Sequence, residues 1–130
     1  MTREYNYDIV IVGAGPAGSS AAWAAAKKGL RVAVLEREEA VAQSIRTSGV
    51  TWINDIKKFG ISSDYYNPIK NYSFYSPNNH VTIHSTEYQA AVLDVRKTYQ
   101  FLAYQAADAG ANIFVRTNVT SPLTNEGKLV

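Results

Sequence analysis

Six residues near the start of the chain, Gly13-Ala14-Gly15-Pro16-Ala17-Gly18, carry the spacing G-x-G-x-x-G. Glycines so spaced suit an anion. Gly13 permits a tight turn, Gly15 leaves the backbone bare for a pyrophosphate, and Gly18 lets a helix lie close to a strand. Backbone N–H groups and the positive end of the helix dipole then face negative charge. Glu36 follows Gly13 by 23 residues. That is near the spacing of an acid that accepts hydrogen bonds from an adenosine ribose. A carboxylate there repels a 2′-phosphate, which disfavours NADP. The pattern points to an adenine dinucleotide.

Short glycine motifs recur by chance, and a glycine turn that binds nothing is the alternative. The surrounding elements decide between them. Tyr7 to Val12 is an apolar, β-branched run, the pattern of a buried parallel strand. Pro16 suits the first turn of a helix. Ala17 to Lys28 reads as an alanine-rich helix stopped by Gly29, and Val32 to Leu35 as a second buried strand ending at Glu36. Strand, helix and strand fill a βαβ unit with the acid where the fingerprint requires it. The fold class is therefore α/β, a Rossmann-like FAD/NAD(P)-binding domain with a parallel sheet and a small β addition.

Beyond Glu36 the pattern weakens. Glu38 to Ser44 reads as a short helix or loop, and Trp52 to Phe59 as a short helix stopped by Gly60. Asp64 to Asn71 is a polar connection containing Pro68. Tyr72 to Tyr75 and Val81 to Ser85 read as strands around the turn residues Pro77-Asn78-Asn79. Asp94 is a good N-cap for a helix over Val95 to Ala109, with Gly110 as its stop. Val95, Tyr99, Leu102, Ala106 and Ala109 share one face. Asn112 to Val115 is a third buried strand. Val119 to Leu123 and Lys128 to Val130 flank Asn125-Glu126-Gly127 as a hairpin.

Length and composition narrow the function classes. A chain of 130 residues fits one domain. Thirteen basic against eleven acidic residues give a charge of +2, too balanced for nucleic acid. No cysteine is present, so disulfides, Cys-ligated zinc and thiol catalysis are excluded. Ile9 to Ala26 carries no charge and approaches the length of a membrane span, following Arg3 as a signal-peptide core would. Its three glycines, proline and two serines break it, so no transmembrane segment is expected. The expected location is the cytoplasm, with room for peripheral contact with a membrane.

The remaining candidates are weaker. Arg96 and Lys97 occupy the first turn behind Asp94, where cations oppose the helix dipole. A bound phosphate near Arg96 would offset that, and a solvated arginine balanced by Asp94 explains it equally well. His80 and His84 are four residues apart on one strand face, but no further metal ligand clusters nearby. Ser19 and Ser20 lack a G-x-S-x-G setting, so hydrolase chemistry is unsupported. A methyltransferase shares the glycine turn and the following acid, but Pro16-Ala17-Gly18 argues against it.

The stretch Asp8 to Glu36, DIVIVGAGPAGSSAAWAAAKKGLRVAVLE, resembles the N-terminus of FAD-dependent oxidoreductases of the geranylgeranyl reductase type. These are related in fold to aromatic-ring hydroxylases and electron-transfer flavoprotein dehydrogenases. The resemblance continues through Ser44-Ile45-Arg46. It strengthens over Leu93 to Tyr99, at Leu102, and over Ala106 to Ala111, with Tyr99 and Gln100 standing where the family commonly has Phe and Asp. It implies FAD as cofactor and a hydrophobic or isoprenoid substrate reduced by the flavin. It implies that Arg96 contacts the flavin cofactor, that Arg46 lies close to the flavin region, and that the residue near Val119 offers backbone hydrogen bonds to adenine. The cofactor-binding candidates are thus Gly13, Gly15, Pro16, Ala17, Gly18, Glu36, Arg37, Arg46, Arg96 and Val119, with no catalytic side chain identified.

Two departures shape the expectation. Many such reductases carry Cys-Gly-x-Gly where this chain reads Thr47-Ser48-Gly49-Val50, so thiol-dependent behaviour does not transfer. The resemblance also spans only the first third or so of a family enzyme. Residues 1–130 are therefore read as an FAD-binding domain incomplete by that measure, with 61–92 as the start of a β-rich insertion. The rival reading is a non-catalytic, truncated or split dinucleotide-binding module that needs a partner chain.

Overall fold

The computed structural model describes residues 5–125 and the backbone of Lys128–Leu129. The chain forms two compact units, one from 1–44 with 99–130 and the other from 45–98.

The first unit is built on a three-stranded parallel sheet. Strand β1 (Ile9–Val12) leads through helix α1 (Pro16–Ala26) to β2 (Val32–Leu35). β2 lies centrally, between β1 and β8 (Asn112–Phe114). The registers Ile9 with Val32 and Leu35 with Phe114 carry the ladder from end to end. Both faces of a central parallel strand must be apolar, and Val32, Ala33 and Val34 are fully buried. Ala22 and Ala26 of α1 and Ala106 of the later helix pack with Val32 and Val34. Small side chains let helix backbones approach the sheet, and burying each valine contributes roughly 1.5–3 kcal/mol.

The second unit holds β3 (Val50–Trp52), α2 (Ile53–Lys58), a 3-10 turn (Ser63–Tyr65), β4 (Tyr66–Ile69), β5 (Tyr72–Tyr75), β6 (His80–Ile83) and β7 (Ala90–Leu93). β7 is the middle strand of an antiparallel sheet, with β3 and β4 on its flanks. Ile53, Ile56 and Ala91 form its core, with Ile61, Tyr66 and Leu93 packed around them. β5 and β6 make a separate two-stranded ribbon. Gly49 enters β3 at φ +76, and a Cβ there would lie 2.8 Å from the Leu93 carbonyl oxygen, so glycine is required on both counts.

Helix α3 (Val95–Asp108) joins the two units along the chain. Asp94 caps it as expected, since the Lys97 N–H donates to Asp94 Oδ1 at 3.1 Å. That bond, with the neighbouring Lys97 and Arg96 charges, holds the Asp94 carboxyl below the usual carboxylate range. On the expected face, Val95 and Ala106 are buried, while Tyr99, Leu102 and Ala109 are half-buried. β9 (Thr124–Asn125) pairs antiparallel with β10 (Lys128–Leu129). The expected hairpin is thus formed, but its first strand begins at Thr124 rather than Val119. Its turn residues Glu126 and Gly127, like Val130, lie outside the described residues.

Three strands depart from the sequence reading. The region read as a polar connection at Asp64 to Asn71 holds β4. Pro68 fits there because β4 is an edge strand, where a missing N–H leaves no ladder bond unmade. β3 occupies the stretch before the short helix, which starts at Ile53 rather than Trp52. β7 leaves no signal in the sequence, because four apolar residues abutting a helix show no period of their own. No helix among the described residues is long and apolar enough to cross a membrane.

The entry to β1 is tied to the entry to β2 by one ion pair. Asp8 Oδ1 accepts from Arg31 Nη2 at 2.8 Å, and Asp8 Oδ2 accepts from the Arg31 backbone N–H at 2.8 Å. The Arg31 guanidinium, then its backbone N–H, lowers the Asp8 pKa from 3.8 to about 2. A carboxyl depressed on folding stabilises above its unfolded pKa and loses that contribution as pH falls through its folded one. The melting temperature of Asp8→Asn should therefore lie below that of the wild type at neutral pH. The gap should shrink between about pH 4 and pH 2 and close below that. Thermal melts of both proteins across this range check it, and a gap independent of pH would count against the pairing.

Candidate functional site

The turn after β1 is held from three sides. Gly13, at φ +93, donates its N–H to the Leu35 carbonyl at 2.8 Å, which extends the β1–β2 ladder by one bond. The next N–H, that of buried Ala14, donates to Glu36 Oε2 at 2.8 Å. Ser19, fully buried in α1, donates its hydroxyl to the Ala14 carbonyl at 3.1 Å. The hydroxyl noted in the sequence for its lack of a hydrolase setting is thus a brace for the turn.

The three glycines of the motif are required for different reasons. Gly13 needs a positive φ that side chains resist. Gly18 needs space, because a Cβ there would sit 2.0 Å from the Gly13 carbonyl oxygen. Gly15 needs neither. Its φ of −69 and ψ of −178 suit any residue, and a Cβ on it would meet nothing within 4 Å. The fold does not demand glycine at position 15, and the space before its backbone is open. α1 begins there with Pro16, and no side chain caps it. Its first N–H groups lack intrahelical acceptors, the usual condition at a helix start. An uncapped helix start with no side chain before Gly15 has the donors and the open approach that a diphosphate needs.

Glu36 stands at the end of β2 with its backbone bonded both ways. Its N–H donates to the Phe114 carbonyl and its carbonyl accepts from the Thr117 N–H, each at 2.8 Å. Arg37 follows, exposed. Arg116, at φ +53, donates its N–H to the Glu38 carbonyl at 2.8 Å and pairs its guanidinium with Glu39 at 3.3 Å. The chain after β8 is thereby laid along Glu36–Glu38, and Val119 follows, exposed. The structure thus collects Gly13, Gly15, Pro16, Ala17, Gly18, Glu36, Arg37 and Val119 in the first unit. Arg46, exposed, and Arg96, in the first turn of α3, belong to the second.

The histidines do not extend the site. His80 stacks on Tyr75 with ring centroids 5.6 Å apart, and His84 is exposed just past β6. Among the described residues no three His, Cys, Asp or Glu side chains cluster to hold a metal ion.

Comparison with known proteins gives the chain a family. A family model described as FAD dependent oxidoreductase matches residues 8–59, which include the turn and Glu36. A protein of Methanosarcina barkeri, uncharacterized and encoded in the nifH2 5′ region, is 36% identical over 133 residues, covering 92% of this chain and 70% of its own. The chain belongs to the FAD-dependent oxidoreductase family. FAD is accordingly its cofactor. A digeranylgeranylglycerophospholipid reductase of Methanocaldococcus jannaschii is 35% identical, over 88% of this chain and 30% of that protein. The crystal structure of a geranylgeranyl bacteriochlorophyll reductase-like protein from Thermoplasma acidophilum superposes with a TM-score of 0.83 at 27% identity. It covers 95% of this chain and 33% of that one. The chain therefore spans about a third of the length of these two family members. The halogenase PltM, solved with phloroglucinol and FAD, shares the fold at a TM-score of 0.63 and 19% identity.

The contrast among the glycines gives a paired test. Gly18→Ala should destabilise the protein by about 1–3 kcal/mol or more, as overpacking against a backbone oxygen does. Gly15→Val should change stability by no more than about 1 kcal/mol yet abolish adenine dinucleotide binding. Urea melts and calorimetric titration read both. If Gly15→Val binds as the wild type does, the phosphate site lies elsewhere.

Proposed function

We propose that this chain holds the ADP half of FAD for a reductase or dehydrogenase of hydrophobic substrates. The observation that carries the reading is Gly15, a glycine that neither backbone strain nor packing requires, set before open space at an uncapped helix start. On this reading the pyrophosphate lies against Gly15, Pro16, Ala17 and Gly18, with Gly13 shaping the turn. Glu36 accepts hydrogen bonds from the adenosine ribose, Arg37 borders it, and Val119 offers backbone bonds to adenine. Arg46 and Arg96 serve the flavin half. Bound flavin supplies the hydride chemistry, and the protein binds and orients it. Relatives named as digeranylgeranylglycerophospholipid reductases support an isoprenoid lipid as the substrate class. Such a protein would be cytoplasmic and meet the membrane peripherally.

A second reading has its own support. Val10 and Val12 on edge strand β1 are 56% and 66% exposed, although they are apolar residues in a parallel sheet. Parallel sheets are ordinarily covered on both faces. A partner chain seated on that face would make this chain a dinucleotide-binding module that does no chemistry alone.

A competition titration separates an ADP-half site from a complete flavin site. We expect ADP to displace FAD at affinities within about tenfold of each other, because both use the same contacts. A preference for FAD of about a hundredfold would mean that the flavin ring has a pocket of its own on this chain.

A further inference from the structure

Both oxygens of the Glu36 carboxylate are already engaged by the protein's own backbone. Oε2 accepts from Ala14 N–H at 2.8 Å and Oε1 accepts from Glu38 N–H at 3.0 Å. The first bond reaches the glycine turn, and the second holds the loop that follows β2. Gly13 N–H ends the backbone ladder on the Leu35 carbonyl. Ala14 N–H points the same way, with no strand carbonyl left to receive it. The Glu36 side chain supplies that acceptor. Ala14 is 1% exposed, so water is a poor substitute, and an unmet buried N–H costs free energy. A carboxylate has about four lone-pair sites, so the two backbone bonds leave sites for ribose hydroxyls.

We infer that Glu36 is a positioning residue for the phosphate-binding turn, in addition to the ribose acceptor of the reading above, on which the ligand half of this inference rests. Its carboxylate holds Ala14, and through it Gly15, in the conformation that a pyrophosphate meets. The consequence is that removing Glu36 weakens binding of the phosphates even when the ligand has no ribose hydroxyls to lose. An acid that served the ribose alone would show no such effect.

Two measurements on the full chain test it. Amide hydrogen exchange by NMR, without ligand, reads the brace directly. In Glu36→Ala the Ala14 and Glu38 amides should exchange at least about tenfold faster than in the wild type, while Val34 in the central strand stays protected. Should Glu36→Ala not fold, Glu36→Gln serves, since its NH2 group cannot accept. One of the two amides should then lose protection. Unchanged exchange at both amides in the folded variant overturns the inference.

Titration with ADP and with 2′,3′-dideoxy-ADP then separates the two roles. Glu36→Ala should weaken dideoxy-ADP at least about tenfold, and ADP by more. A loss confined to ADP overturns the positioning role and leaves the ribose role standing. If the wild type binds neither nucleotide, the dinucleotide reading falls, and the exchange rates still decide whether the carboxylate braces the turn.

Discussion

The site depends on how closely α1 approaches the end of β1. At Gly18 the helix backbone lies so near the Gly13 carbonyl that a single carbon would collide with it. This contact sets where the helix begins, and so where its first N–H groups and dipole are aimed. Every other bond at the turn works within that geometry. The Gly13 N–H on Leu35, the Ala14 N–H on Glu36 and the Ser19 hydroxyl on Ala14 all fix a loop whose two ends are already placed. The alanines at 22 and 26 continue the approach along the helix, since larger side chains there would lift it from Val32 and Val34.

On the function proposed above, the same contact sets the shape of the phosphate site before any ligand arrives. The Gly13 N–H, the Ala14 N–H and the Ala14 carbonyl are bonded to Leu35, Glu36 and Ser19, while Gly15 and the helix start face open space. Rigidity of this kind lowers the ordering cost when an anion binds. The charge needed is modest, because helix-start amides and dipole act together. This fits a chain whose acidic and basic residues nearly cancel.

The first unit was legible in the sequence because its demands are local. A strand, a glycine turn, a helix and a strand follow one another within forty residues, and each leaves a composition signal. Gly13, Gly15 and Gly18 each stood where the motif predicts, and the structure adds which of the three the fold itself requires. The side-chain braces were less legible. Nothing in the spacing showed that Ser19 would turn inward to Ala14, or that Glu36 would reach back across 22 residues to an amide. The second unit is less legible in the sequence for a physical reason. Its strands are three or four residues long, pair antiparallel across distant stretches, and include Pro68 and the alanines of β7. Identity there is set by the partner strand rather than by the segment.

The order of the units along the chain has a consequence for variation. The parallel sheet is assembled from two stretches, with residues 45–98 inserted between them. Loop-closure entropy grows only with the logarithm of length, about 0.6 kcal/mol for each doubling. The first unit therefore loses little when the insertion lengthens or shortens, provided its two ends still leave and return at the same places. The junctions at Ser44–Ile45 and, within α3, at Thr98–Tyr99 are the constraint, and the interior of the inserted stretch is the freedom. Changes confined to the β5–β6 ribbon therefore cost the glycine turn little, and the turn and the ribbon can vary on separate terms.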